Sequence, residues 1–211
     1  LLNSYGTDEG ITELLDSAEV FINPLSNPDG MFRLYDTTIL DASRYNSEGK
    51  DLNRNFPDPS YSASFLPPPE NRDMIAYMRE HRFVLSANFH TGFTVMNYPY
   101  DRTYTPHADR DWFDYISREY ADTVHTLNPN YMTSYDNGVV QGSDWFVVQG
   151  SRQDFVTYEL QGREVTIELN ADKLVAPDRA WELWMLNHKS LIQYLRQVIY
   201  GLRGRVYDAD T

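Results

Sequence analysis

Two short apolar runs, residues 83–90 (FVLSANFH) and 164–170 (EVTIELN), constrain this chain more than any other feature. Each is too short for an ordinary core helix, and the second is β-branched and alternating, as a strand in a packed sheet should be. Between and after them lie apolar stripes at helical spacing. Residues 109–127 place Trp112, Ile116, Tyr120 and Val124 four apart, and residues 178–200 place Trp184, Leu191, Leu195 and Val198 on one side. Gly201 then stands where a helix stop is expected. Strands alternating with helical stripes predict an α/β domain. Two further strands are expected at 18–24 (AEVFINP), ended by the turn-rich SNPDG, and at 94–98 (TVMNY). Pro69 suits the first turn of a helix carrying Met74, Tyr77 and Met78, and residues 31–68 read as largely irregular.

Charge narrows the class. With 211 residues and a net charge of −13, the chain lacks the basic face that nucleic acids require, and an anionic membrane surface is excluded on the same ground. No apolar run approaches the ~18–20 residues of a membrane span. Cysteine is absent, which removes disulfides, thiolate nucleophiles and Cys-ligated zinc. The N-terminal LLNSYGTDEG is not a signal peptide, and a chain opening on Leu-Leu is expected to be cut from a longer one. The final GRVYDADT reads as a new strand. The expected organisation is one domain over residues 1–203, with 204–211 beginning a following β domain.

Few residues look chemical. Of five histidines, His90 alone closes an apolar strand and precedes Thr91-Gly92, at the kind of strand-to-loop edge where α/β sites lie. By itself it is either a structural residue or a ligand. Asp51-Leu52-Asn53-Arg54-Asn55-Phe56 sets a guanidinium beside two amides, a grip for a carboxylate or else a solvated loop. Glu168 sits in a strand that should be buried, where a carboxylate is costly unless it is paired or functional.

In order, INPLSNPDG, SRYNSEGKDLNRNFPD, FVLSANFHTG, VMNYPYD, NGVVQGSDWFVVQGSRQDF, VTIEL and SLIQYLRQVIYGLRGRV resemble the zinc metallocarboxypeptidases, specifically the regulatory N/E-type branch, from about Tyr5 to the end. The resemblance implies a three-layer α/β sandwich with a twisted mixed central sheet, and a zinc cofactor. It implies that His90 is the third zinc ligand and Glu168 the general base. Arg44 would polarise the scissile carbonyl, and Asn53 and Arg54 would hold the substrate's terminal carboxylate. Asp51 would support the first zinc histidine from behind. Asp101 (in NYPYD) and Gln153 (in SRQDF) would line the pocket for the terminal side chain, which favours Lys or Arg. The implied partners are peptide and protein C-termini, and the implied location is secreted or periplasmic.

Two positions depart from the family pattern. No His in the chain has Glu three residues on, so the H-x-x-E motif that supplies the first two zinc ligands is expected upstream of Leu1, and the supplied chain alone is expected to be inactive. The mobile Tyr of W-Y-x-V-x-G-G-M-Q-D-W is replaced by Phe146, which keeps an apolar lid but has no hydroxyl to donate. Two readings therefore stand: a peptidase that removes C-terminal residues, and a catalytically silent relative that binds peptides.

Overall fold

The sheet is built from β1 (Leu85–His90), β2 (Phe93–Tyr98), β3 (Val139–Gln141) and β4 (Arg163–Asn170), in a computed structural model that describes residues 1–34 and 38–201. The strands lie in the order β1-β4-β2-β3. β4 runs parallel to β1 and antiparallel to β2, and β2 is parallel to β3, so the sheet is mixed. Five helices of seven or more residues surround it: α1 (Glu9–Ser17), α2 (Pro69–His81), α3 (Arg110–Leu127), α4 (Arg152–Tyr158) and α5 (Pro177–Arg196).

The period-two geometry of a strand divides β4 between two layers. Val165, Ile167 and Leu169 face α3 and α5, in a core that also takes Met96, Phe113, Ile116, Tyr120 and Val124. Burying each such side chain contributes about 1.5–3 kcal/mol. On the other face of β4 stand Glu164, Thr166 and Glu168, beside Ser86, Asn88 and His90 at the matching positions of β1. The layer over this face is a smaller core of Phe56, Ile75, Met78, Phe155 and Val156, contributed largely by α2 and α4. Helices on both faces of a mixed sheet make the expected α/β layering.

Two expectations are corrected. Residues 18–24 form no strand: Ile22 is 78% exposed and the run pairs with no strand among the described residues. Its apolar content goes instead into a ring cluster, where Phe21 lies 4.8 Å from His81 and 5.2 Å from Phe83. An apolar run without a partner edge stays extended and unpaired. In α5 the buried positions are Leu183, Asn187, Ser190 and Tyr194, while Trp184 is 46% exposed. That face is held by hydrogen bonds: Tyr120 donates to Asn187 Oδ1 at 2.8 Å, Ser190 to Tyr120 O at 3.0 Å, and Tyr194 to Ser86 O at 2.6 Å. A stripe read from apolar residues alone misses it.

α1 was not expected, although Asp8 caps it by accepting from the Ile11 N–H at 3.0 Å. α2 begins at Pro69 as expected, and Gly201 adopts φ +106° beyond the 3₁₀ turn that follows α5. The strand expected at 204–211 lies outside the described residues. No helix among them is long and apolar enough to cross a membrane.

Candidate active site

β1 and β4 end side by side, and this sets His90 opposite Glu168 in the register. The loops above them close a cleft of about 210 Å³ lined by Arg44, Asn53, Arg54, His90, Asn97, Asp101, Trp145, Phe146, Thr166 and Glu168, among others. A larger open depression of about 720 Å³ runs along Asp29, Arg33, Ser43 and Tyr45. Among the described residues lining it there is no histidine, and the one carboxylate, Asp29, is exposed and already accepts from Ser47 Oγ at 2.7 Å. The residues singled out in the sequence gather in the smaller cleft.

His90 Nε2 is approached by two amide nitrogens, Asn53 Nδ2 at 3.2 Å and Asn88 Nδ2 at 3.1 Å. Both can only donate, so Nε2 carries a lone pair and the ring is neutral with its proton on Nδ1. Burial, and next the Arg44 charge, push its pKa down to about 4. A neutral imidazole is the form of histidine that binds a metal, although here the Nε2 lone pair is taken up by the two amides. His90 does not complete a zinc site, however: among the described residues no group of three or more candidate ligands comes together.

Glu168 is 8% exposed, and its Oε2 has no hydrogen-bond partner. Burial pushes its carboxyl up to about 7 against the opposing pull of Arg44 and Arg54. Arg44 pairs with Asp51 through Nε at 2.6 Å, and Asp51 Oδ1 accepts from the Asn53 N–H at 3.0 Å. Asp51 thus orders the Asn53–Arg54 turn in addition to the role the family pattern implies for it.

Arg54 donates to Asn53 O at 2.7 Å and lies 5.9 Å from the Phe146 ring, a cation–π distance. Burial lowers its pKa from the ordinary value, partly offset by Asp51. Among the described residues it has no carboxylate within ion-pair distance. Phe146 itself is 48% exposed at the mouth of the cleft.

Asp101 lies at the floor, 5% exposed, also with no cation at ion-pair distance among the described residues. Its Oδ1 accepts from Asn97 Nδ2 at 3.0 Å and from Gln153 Nε2 at 3.1 Å. Gln153 is fully buried, so it bears on the floor through Asp101. The amide oxygens Asn97 Oδ1 and Gln153 Oε1 have no hydrogen-bond partner among the described residues. Burial raises the Asp101 pKa, while hydrogen bonds from Ser151 and Asn97 hold it back. Asp154 accepts from the Asp101 and Arg102 N–H groups at 2.8 and 3.0 Å, and burial with Asp101 nearby pushes it to about 7.

Two glycines permit this packing. A Cβ on Gly142 would run into the Asp101 carboxylate, and one on Gly150, at φ +68°, would strike the Arg54 carbonyl. Neither glycine was singled out in the sequence, and neither were Asn88, Asn97, Arg152, Asp154 and Glu164.

A histidine, a buried glutamate and an arginine without an ion-pair partner among the described residues thus share one cleft at the open end of a mixed sheet. The zinc carboxypeptidase family profile (Peptidase M14) matches residues 1–197, and the chain belongs to that family. Its relatives are those of the regulatory N/E-type branch. Mouse carboxypeptidase M is 34% identical over 99% of this chain and 50% of its own length, and the human carboxypeptidase N catalytic chain is 29% identical over 96% and 52%. The chain therefore spans about half the length of these relatives. Human carboxypeptidase D is 33% identical over 99% of this chain and 16% of its own. Among solved structures, thrombin activatable fibrinolysis inhibitor (TAFI) superimposes with a TM-score of 0.73 at 19% identity, over 93% of this chain and 55% of that one. Carboxypeptidase A from Helicoverpa armigera follows the same fold with a TM-score of 0.60 at 20% identity, over 81% and 50%.

Proposed function

We propose that this chain is the base-bearing and substrate-holding part of a zinc carboxypeptidase that removes C-terminal Arg or Lys from peptides. One observation carries the reading. Arg54 and Asp101 line a single cleft, and among the described residues neither has an opposite charge at ion-pair distance, although they feel each other's charge across it. A peptide ending in Arg or Lys brings both missing charges: a terminal carboxylate for Arg54 and a cation for Asp101. The Asn97 amide oxygen beside Asp101, without a hydrogen-bond partner among the described residues, supplies a further acceptor for a guanidinium.

Within that complex the family resemblance supplies the roles, and the cleft holds the residues that would fill them. Asn53 and Arg54 would hold the carboxylate, and Arg44 would face the charge that develops on the scissile oxygen. Glu168, poised near neutrality, takes a proton from the attacking water and returns it to the leaving amine. The family implies zinc with His90 as one ligand. Such sites use about three protein ligands, and the described residues do not bring three together, so they do not fit a zinc ion by themselves. The 211-residue chain is accordingly expected to lose zinc on dialysis. Elemental analysis finding one zinc per chain would overturn this.

Phe146 favours a second reading, a peptide-binding relative without turnover, because it keeps the lid over Arg54 but cannot donate a hydrogen bond. Both readings require the carboxylate grip. Arg54→Ala is expected to weaken binding of benzoylglycyl-arginine at least tenfold (~1.4 kcal/mol or more) and to leave its C-terminal amide equally weak. Titration of the full chain by NMR checks this, and an acid-to-amide preference that survives the substitution rejects the grip. Turnover by the zinc-loaded full-length protein separates peptidase from binder.

A further inference from the structure

Arg152 stands at the first position of α4 and reaches two partners outside that helix. Its backbone N–H, one of the donors that a helix start leaves without an intrahelical acceptor, meets Asn53 Oδ1 at 2.8 Å. Its guanidinium runs down to the sheet, where Nε lies 3.2 Å from Glu164 Oε1. Glu164 has no exposed surface, and its other oxygen accepts from Ser86 Oγ at 2.5 Å. Burial pushes the Glu164 carboxyl up and the guanidinium beside it pulls the other way. Nε and Oε1 stand at ion-pair distance without hydrogen-bond geometry, and this contact ties the first turn of α4 to β4.

The consequence falls on Asn53. A side-chain amide has one accepting end and one donating end. With Oδ1 committed to the Arg152 N–H, Nδ2 faces the other way, 3.2 Å from His90 Nε2 and toward the cleft. Without that commitment the amide could rotate and present its oxygen to an incoming carboxylate, a repulsive contact. We propose that Arg152 is a positioning residue for the carboxylate grip: anchored on Glu164, it aims the Asn53 N–H groups at the ligand's terminal carboxylate. This rests on the reading of Asn53 and Arg54 as that grip.

A purely structural ion pair would hold the fold without affecting the ligand, and a pair of variants separates the two cases. Arg152→Met removes the guanidinium but strands a buried charge. Adding Glu164→Gln removes that charge and keeps a polar partner for Ser86. The full chain and its variants would be titrated by NMR with benzoylglycyl-arginine and with its amide, beside urea unfolding and amide exchange at position 152. The double variant is expected to unfold near the wild-type midpoint, to exchange its residue-152 amide about tenfold faster, and to bind the free acid about tenfold more weakly with the amide unchanged. Arg152→Lys, which can still reach Glu164, is expected to recover most of the affinity. A double variant that binds the acid as tightly as wild type, while Arg54→Ala loses it, overturns the positioning role alone. If Arg54→Ala also keeps full affinity, the grip falls and the positioning role with it.

Discussion

Glu168→Gln is expected to cost the zinc-loaded full-length protein about three orders of magnitude or more in kcat with little change in KM, and to make the metal-free chain more stable. Both effects come from the same burial. Glu168 has one oxygen without a hydrogen bond, and its carboxyl is pushed from 4.5 to about 7. Between those two values the folded chain binds a proton that the unfolded chain has released. Stability is therefore lost as pH rises through that window, and the loss is complete above about 7. The penalty at pH 8 is about 3 kcal/mol, which Gln avoids because it carries no charge. Below pH 4.5 both forms of the carboxyl are protonated and the advantage should vanish. Asp154, also pushed to about 7, stays in both proteins and cancels from the comparison. Urea midpoints at pH 4 and pH 8 check the stability half. Wild type and variant unfolding at one midpoint at pH 8 would sink the buried-base assignment, and near-normal turnover by the variant would sink the catalytic one.

His90 and Glu168 stood out in the sequence for different reasons: His90 closes the apolar run 83–90, and Glu168 is a carboxylate inside the run 164–170 that a sheet should bury. Their roles came from the family resemblance alone. What the residues stand against was not legible. Ser86 meets Glu164 across 78 positions and Arg152 meets Asn53 across 99, and no local pattern encodes either encounter. The α5 face was misread because its buried stripe carries Asn187, Ser190 and Tyr194, whose burial is made tolerable by partners on α3 and β1. Residues 18–24 failed as a strand for a related reason: strand propensity is realised only against a neighbouring edge.

Asp101→Asn should abolish the preference for basic C-termini. The argument is one of charge in a dry place. An Arg or Lys side chain entering the floor meets a carboxylate that is 5% exposed and already oriented by the Asn97 and Gln153 amides, so little reorganisation opposes the pair. Removing one partner of such a pair costs about 3–5 kcal/mol, which corresponds to roughly two to three and a half orders of magnitude in affinity. A peptide ending in Phe gains nothing from the carboxylate and leaves it buried beside an apolar ring, so neutralising the floor should make that peptide bind better. A peptide ending in Glu faces like-charge repulsion in the wild type and relief in the variant. The three ligands should therefore move in opposite directions: a large loss for Arg and gains for Phe and Glu. Asn is chosen over Ala because it keeps the volume beside Gly142, whose missing Cβ makes room for this side chain. Parallel titrations of the chain with benzoylglycyl peptides ending in Arg, Phe and Glu decide the matter. If all three affinities shift together, or the Arg preference persists undiminished, Asp101 is not the floor that reads the terminal residue.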